Sequence, residues 1–383
     1  PQFAKVDYEG AEILKVKAGV YDNVGILDIR AMYHSNAAKY NISWDTLDEN
    51  GVDCGNGSKF RHGEKGLLVR QMELMTKFRN EFKMKMILTD GDERKKWDCM
   101  QFAAKTLVAS MYGVAGDAKF GMYHPEIAAA ITYTSRETLG QLMENARDVG
   151  FDVIYGHTDS VFCIIPTPEE GLEKLGLINE RMHPIVTEFE KWCSRIIMVA
   201  KNRYTGMVTW TDGEYHEPNI YVKGIEMKQS RMPPVMKAAM LDTITGILTN
   251  EQETAVTDRL SAMVDSVIKG ETDPIDLCMK GKLERDISQY KVLSGSSAGA
   301  AWANEYLGKG YRKGSFFLVT LNEDGKYIAF DNPKDVEGIE TVGTKVMVDR
   351  FVIKKIKPYF DLAGWSTQPI ENARNGLADM SWV

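Results

Sequence analysis

The sequence predicts a mixed α+β fold, and three observations predict it. Residues 152–165 hold two short β-branched and aromatic runs, Val153–Tyr155 and Val161–Ile165. The polar stretch Gly156-His157-Thr158-Asp159-Ser160 splits them, which is the pattern of a hairpin. Residues 66–88 place Leu68, Met72, Met75, Phe78 and Phe82 at helical spacing. An apolar strand, Val24–Asp28, runs directly into a helix-like stretch, Ile29–Asn36. The hairpin strands are too apolar to lie on a surface. They predict a buried sheet that opens at one bend, with Asp159 on it.

Bulk properties bound the rest. A chain of 383 residues is long for one core and predicts two or three compact units. Hydrophobic content of 44% and charged content of 26% place it among ordinary globular proteins. The net charge of −7 does not advertise nucleic-acid binding, which local basic stripes decide instead. The five cysteines, Cys54, Cys99, Cys163, Cys193 and Cys278, are scattered, which fits free thiols in a reducing compartment. The six histidines form no H-x-x-x-H pattern, which argues against structural zinc. No apolar run approaches the length of a membrane span. The chain opens on Pro1 rather than Met, which fits a processed chain or a fragment.

Taken in order, residues 5–16 alternate and carry Tyr8-Glu9-Gly10-Ala11, a predicted turn or hairpin. The strand Val24–Asp28 ends on a carboxylate. Asp28 reads two ways, as the N-cap of the next helix or as a rigidly held metal ligand. Residues 49–64 form a loop with Gly51, Gly55, Gly57 and Gly63. On the helix over 66–88, Arg79 and Lys83 share a face. Thr89-Asp90-Gly91-Asp92 then turns the chain into a helix over 93–113, with Asp92 as the expected N-cap and Tyr112-Gly113 as its end. Lys105, Ala109 and Tyr112 line one side of it. Antiparallel packing of these helices would bring Arg79, Lys83 and Lys105 together. Such a trio suits a triphosphate, whose charge it neutralises; a solvated charged face is the commoner fate of these side chains.

Pro125 opens a third helix to about Val149, closed by Gly150. After the hairpin, Thr167-Pro168-Glu169-Glu170 is a capping-box start for a helix over 168–193. Strand-like pieces follow at 195–200, 206–210 and 219–223. From Met232-Pro233-Pro234 the pattern is mostly helical to about 290, broken at Gly270–Pro274. A Gly/Ser/Ala-rich segment (294–315, with Arg312 and Lys313), a β-like piece (315–330), a basic strand or helix (Val352–Lys357) and a loose tail close the chain. There is no internal repeat.

Three of these stretches occur in one telling order. Asp28–Ser35 resembles the first palm motif of family B DNA polymerases, D-x-x-x-L-Y-P-S. Lys105–Gly113 is similar to their fingers motif, K-x-x-x-N-S-x-Y-G, and Tyr155–Ser160 to their Y-G-D-T-D-S hairpin. Tyr8–Ala11 is similar to the Y-x-G-G/A link before the palm, Arg79 with Lys83 to the R-x-x-x-K of the first fingers helix, and Phe120 to Thr132 to the segment after the fingers. Lys201-Asn202-Arg203-Tyr204 and Lys223-Gly224-Ile225-Glu226 resemble two primer-side motifs. The match runs from about residue 5 to 235, closest in flavour to phage-type members. It implies a right-hand polymerase architecture: an antiparallel-sheet palm (1–64 and 116–231), two-helix fingers (65–115), and a mostly helical thumb with a C-terminal tail (232–383).

The resemblance implies template-directed addition of deoxynucleoside triphosphates to a primer 3′ end. That chemistry uses two Mg2+ ions about 3.5–4 Å apart, for which Mn2+ substitutes. Mg2+ takes hard oxygen ligands, usually one or two of them carboxylates. Asp28 and Asp159 would be the catalytic pair, with the backbone carbonyl of Ile29 as a further ligand. Arg79, Lys83 and Lys105 would grip the triphosphate, with Ser110 beside them. Tyr33 would be the steric gate under the sugar, and Tyr112 would lie against the nascent base pair. Tyr8, Gly10, Lys201, Arg203, Tyr204, Lys223 and Arg231 would contact primer–template DNA, where cations position the duplex without reading sequence.

The departures from the family pattern matter. His157 replaces the first Asp of the hairpin motif, a position that contributes less to metal binding than the second. Ala109 replaces the fingers Asn, and His34 replaces the Pro after Tyr33. Together they keep a rival reading, a catalytically weakened DNA-binding or scaffold subunit of a replication complex. A metal-dependent phosphotransferase such as a nucleotide cyclase is a third reading, opposed by the basic trio and Tyr33. The palm begins almost at residue 1, so no proofreading activity of its own is expected. A separate exonuclease chain, or the N-terminal part of the same polymerase, is the implied partner. The tail Gly376–Val383 reads as a sliding-clamp peptide or a frayed terminus. No membrane partner is expected, and the expected location is the cytoplasm, that of the host cell if the chain is viral.

Overall fold

The computed structural model describes residues 16–225, 232–337 and 341–376. Tyr8, Gly10, Arg231 and the tail beyond Gly376 lie outside the described residues. The chain divides into two compact units. The first is built on Asn23–Cys193 with Thr209–His216. The second takes Ala18–Asp22, Ser194–Val208 and the described residues from Glu217 onward. Helices and antiparallel strands are mixed in each, as the α+β expectation has it.

The elements run β1 (Gly19–Ile29), α1 (Met32–Tyr40), β2 (Leu47–Asp53), β3 (Lys59–Phe60), α2 (Leu67–Ile87), α3 (Gly91–Gly116), α4 (Pro125–Asp148), β4 (Asp152–His157), β5 (Ser160–Ile164), α5 (Pro168–Met182), β6 (Thr187–Ala200), β7 (Arg203–Thr211) and β8 (Glu214–Lys223). They continue with α6 (Pro234–Leu248), α7 (Glu253–Ile268), β9 (Met279–Lys282), α8 (Ser296–Tyr306), β10 (Phe316–Leu321), β11 (Tyr327–Phe330), α9 (Thr344–Met347), a π-helical stretch (Val348–Ile353), α10 (Lys354–Ala363) and α11 (Gln368–Arg374). The main sheet has the order β4-β5-β1-β6-β7-β8.

In the first unit, β1 is buried over Val24–Leu27, the signature of a central strand covered on both faces. Leu27, Val161, Cys163 and Ile165 pack with Leu139 and Leu142 of α4 and Ile178 of α5. A second cluster joins Ala37, Phe60, Leu68, Met72, Ala115 and Ile131, tying α1, α2, α3 and α4 together. Pro125 stands in the first turn of α4, as expected. Thr167 Oγ1 accepts from the Glu170 amide at 3.3 Å, which caps α5.

Several expected boundaries change, and the expected loop over 49–64 holds β2 and β3. The helix beginning at 168 stops at Met182 instead of 193. Pro184 disfavours helical geometry before it, and the alternation Thr187-Glu188-Phe189-Glu190 is a strand period that extends β6 backward. The helix α3 has Asp90, not Asp92, at its N-cap, while Asp92 and Glu93 sit in the first turn, where carboxylates suit the helix dipole. It also continues past Gly113 to Gly116, because Ala115 is fully buried and that packing outweighs the entropic cost of glycine.

In the second unit, α6 and α7 pack through Met236, Met240, Ile244, Val256 and Leu260 against Val319 and Phe360. The helical pattern ends at Ile268 rather than near 290. It gives way to β9, the edge of a three-stranded antiparallel sheet ordered β11-β10-β9. The five cysteines are free, as expected, and burial pushes the Cys163 and Cys193 thiols up to about 12.

Candidate active site

Strand register assembles the acidic half of the site. Asp28 on β1 stands opposite Ser160 on β5, and Ser160 stands opposite His157 on β4. Directly opposed residues of antiparallel strands share a face, so Asp28, Ser160 and His157 form a row across three strands. Ser160 Oγ donates to Asp28 Oδ1 at 2.6 Å and lies 3.5 Å from Asp159 Oδ1. The Ile29 amide donates to the Asp159 carbonyl at 2.8 Å. Backbone and side chain together therefore fix Asp28 beside Asp159. Between His157 and Ser160 the turn consists of Thr158 and Asp159, and Thr158 has a φ of 54°. A β-branched residue in the left-handed region stores on the order of 1–3 kcal/mol of strain. His157 Nε2 lies 3.5 Å from the Thr158 hydroxyl.

The electrostatics are those of a site short of positive charge. Burial pushes Asp28 up from 3.8 to about 7; the Ser160 hydrogen bond opposes this, and Asp159, Glu190 and Glu188 add to it. Among the described residues, no group of three or more His, Cys, Asp and Glu side chains converges. The donor set is thus two carboxylates with nearby backbone carbonyls. It fits Mg2+, which completes its shell with water and phosphate, better than an ion that needs an all-protein cage.

The basic half comes from α2 and α3. Phe82 stacks on Trp97 at 5.8 Å, which sets the register of this helix pair. In that register Lys105 lies about 7 Å along the axis from Arg79. Arg79 Nε is buried without a hydrogen-bond partner. A buried donor left without an acceptor costs about 1–3 kcal/mol, and an anion would supply the acceptor. Lys83, Lys105, Ala109 and Ser110 are exposed. Ser110 Oγ donates to the Leu107 carbonyl of its own helix at 2.9 Å. Tyr33, in the first turn of α1, stacks on Tyr112 of α3 with centroids 4.8 Å apart. A groove of about 760 Å³ runs along α2 past His34, Glu73, Asn80 and Lys85; neither Asp28, Asp159 nor Arg79 lines it.

The second unit brings together the two basic motifs of the sequence. A β-carbon on Gly224 would stand 1.9 Å from the Asn202 carbonyl oxygen, and the positive φ of 64° at Gly224 favours glycine for a second reason. Lys223 Nζ sits over the Tyr204 ring at 5.7 Å. Tyr204 is only 4% exposed, so it reaches this surface through Lys223. Lys201 is exposed and Arg203 half-buried.

Sequence reasoning missed Ser160 as the link between the carboxylates; only the register reveals it. It also missed Asn36. Thr138 Oγ1 donates to Asn36 Oδ1 at 2.7 Å and Asn36 Nδ2 donates to Ser135 Oγ at 3.4 Å, tying the helix that carries Tyr33 to α4. A third omission is the turn Asn41–Thr46, whose Asn, Ser, Asp and Thr residues were a readable turn signal.

Known proteins share much of this chain. Residues 2–301 match the model of DNA polymerase family B. A DNA polymerase of Archaeoglobus fulgidus is 28% identical over 313 residues, covering 80% of this chain and 39% of its own length. DNA polymerase 2 of Aeropyrum pernix is 28% identical over 297 residues, covering 74% and 36%. The DNA polymerase alpha catalytic subunit of Saccharomyces cerevisiae is 26% identical over 302 residues, covering 75% and 20%. The chain thus spans less than half the length of each of these relatives.

Proposed function

From the premise that this chain belongs to DNA polymerase family B, we propose that it carries out template-directed DNA synthesis, extending a primer 3′ end with deoxynucleoside triphosphates. The observation that carries this reading is the Asp28–Ser160–Asp159 arrangement at the open end of paired strands, with its deficit of positive charge. In the right-hand layout, residues 1–64 and 116–231 are the palm, 65–115 the fingers and 232–383 the thumb.

Asp28, Asp159 and the Ile29 carbonyl would hold two Mg2+ ions, with Mn2+ as a substitute. Such cations activate the primer 3′-oxygen and neutralise charge on the transferring phosphate. The chain's own groups do the rest. Ser160 keeps Asp28 turned toward Asp159 by donating to its Oδ1. Arg79, Lys83 and Lys105 bind the triphosphate, and the Arg79 Nε donor gains the acceptor it lacks. Tyr33, braced by Tyr112, packs under the sugar where a 2′-hydroxyl would go. Lys201, Arg203 and Lys223, with Tyr204 beneath Lys223, track the primer–template backbone. Tyr8, Gly10 and Arg231 join them in this reading.

The test is extension of a primed template with Mg2+ and deoxynucleotides. Wild type should extend, and Asp28→Asn and Asp159→Asn should each lose on the order of a thousandfold in rate. Robust extension by either variant would dismiss the carboxylate pair, and inactive wild type would overturn the reading as a whole.

A further inference from the structure

We propose that the turn Asn41–Thr46 is the joint that sets the direction of α2, and that Asn41, Ser43 and Asp45 are positioning residues for triphosphate binding. This rests on the reading that Arg79 and Lys83 of α2 hold the triphosphate. The first amides of a helix have no partner inside it. Here three successive amides at the start of α2 are all taken by one turn. The Gly66 amide donates to Asn41 Oδ1 at 2.8 Å. The Leu67 amide donates to both Asp45 carboxylate oxygens, at 2.9 and 3.1 Å. The Leu68 amide donates to Ser43 Oγ at 3.0 Å.

The turn is itself braced. Ser43 Oγ donates to Asp45 Oδ1 at 2.5 Å, and Thr46 Oγ1 to the Asn41 carbonyl at 2.5 Å. Asn41 Nδ2 donates to the carbonyls of Arg61 and Glu64 at 2.6 and 2.9 Å. The fit is close, since a β-carbon on Gly66 would stand 2.4 Å from Ser43 Cβ. An ordinary helix N-terminus is satisfied by one capping side chain; this one is held by three.

The rest of α2 makes the joint matter. Its far end packs on α3 through the Phe82–Trp97 stack and otherwise faces solvent, with Met84 58% and Ile87 67% exposed, so the joint steers the two helices together. Arg79 lies about 20 Å along the axis from Gly66. A tilt of about ten degrees at the joint would therefore move Arg79 by about 3 Å, and misplacement of even 1 Å is costly to a bound reactant. None of the three side chains is placed against substrate. Their effect reaches it through the helix.

The experiment is steady-state extension by the full chain, resolving KM for the deoxynucleotide from kcat, with primer–template affinity measured separately in EDTA. Asp45→Ala should raise KM about tenfold, with kcat within about twofold and DNA affinity unchanged. Asp45→Asn keeps an acceptor for the Leu67 amide and should recover most of the loss. Arg79→Ala serves as the reference. If it raises KM and Asp45→Ala does not, the joint is overturned and the triphosphate reading stands. If Arg79→Ala leaves KM unchanged, the triphosphate reading falls and the joint with it. A parallel loss of kcat and DNA affinity in Asp45→Ala, unrepaired by Asn, would mark a merely structural role and overturn the proposal. Should Asp45→Ala fail to fold, Ser43→Ala takes its place. It should raise KM about threefold, and an unchanged KM overturns the proposal.

Discussion

Asp28 and Asp159 are positioned by paired backbone, whereas Arg79, Lys83 and Lys105 sit on long side chains of two helices. Asp28 comes from a strand buried on both faces and Asp159 from the two-residue turn of the hairpin paired with it, and that register leaves one arrangement open to them. Lys83 and Lys105 are exposed and Arg79 is half-buried, and the helix bearing Arg79 and Lys83 is tied at its start to the Asn41–Thr46 turn and further along to α3 through the Phe82–Trp97 stack. This contrast suits the proposed reaction, in which the carboxylates would keep one geometry while the nucleotide enters and leaves.

Removing the Arg79 guanidinium should break the basic half most severely. Arg79→Ala is expected to lose about a hundredfold in kcat/KM, near 2.7 kcal/mol. A pre-steady-state nucleotide titration reads this directly, and an unchanged value would move the anion elsewhere.

Next in size is a stability effect confined to the acidic half. A carboxyl raised from 3.8 to about 7 in the folded protein favours folding only while protonated. That contribution is complete below 3.8 and gone above about 7. In metal-free protein at pH 8, Asp28→Asn should therefore stabilise by on the order of 2 kcal/mol, after allowance for partial exposure. The gain should shrink toward zero near pH 4. Thermal unfolding in EDTA at both pH values decides it, and a pH-independent difference would remove burial as the cause.

Tyr33 follows Asp28 by five residues and stacks on Tyr112 of α3. Tyr33→Ala should cost about 1 kcal/mol of stability and should relax exclusion of ribonucleotides. Discrimination equal to wild type would argue against a gate. The smallest effect belongs to the hairpin turn. Thr158→Gly should relieve the positive-φ strain and stabilise by about 0.5–1 kcal/mol, measurable by urea unfolding. Destabilisation would mean that the Thr158 side chain contributes more than the strain costs.

The two halves also differ in how far the sequence discloses them. The hairpin, α2 and α4 were legible because each carries a local signal: alternation about a turn, apolar spacing, or Pro in the first turn. The neighbouring placement of Asp28 and Asp159 was foreseen from the strand and hairpin pattern, and Arg79 and Lys83 were foreseen on one helix. Contacts made by register were not. Ser160 reaches Asp28 across 132 positions, and the Asn41–Thr46 turn reaches α2 across more than twenty. The end of α5 was missed because a strong capping signal outweighed the weaker strand alternation after Pro184. The extension of α3 past Gly113 was set by the burial of Ala115, which propensity does not foresee.

One feature of β4 bears on how this hairpin can change over time. Its pairing with β5 shifts between Val153 and Tyr155, so Ile154 is an extra residue in the ladder. Ile154 has no partner residue of its own, so its deletion would make the ladder regular and leave Tyr155 opposite Phe162 and His157 opposite Ser160. Deleting Gly156 instead would set His157 opposite Val161, turn it to the other face and carry it out of the row it forms with Ser160 and Asp28. The bulge is therefore a place where β4 can lose a residue and keep that row, whereas the residues next to the turn cannot be shortened.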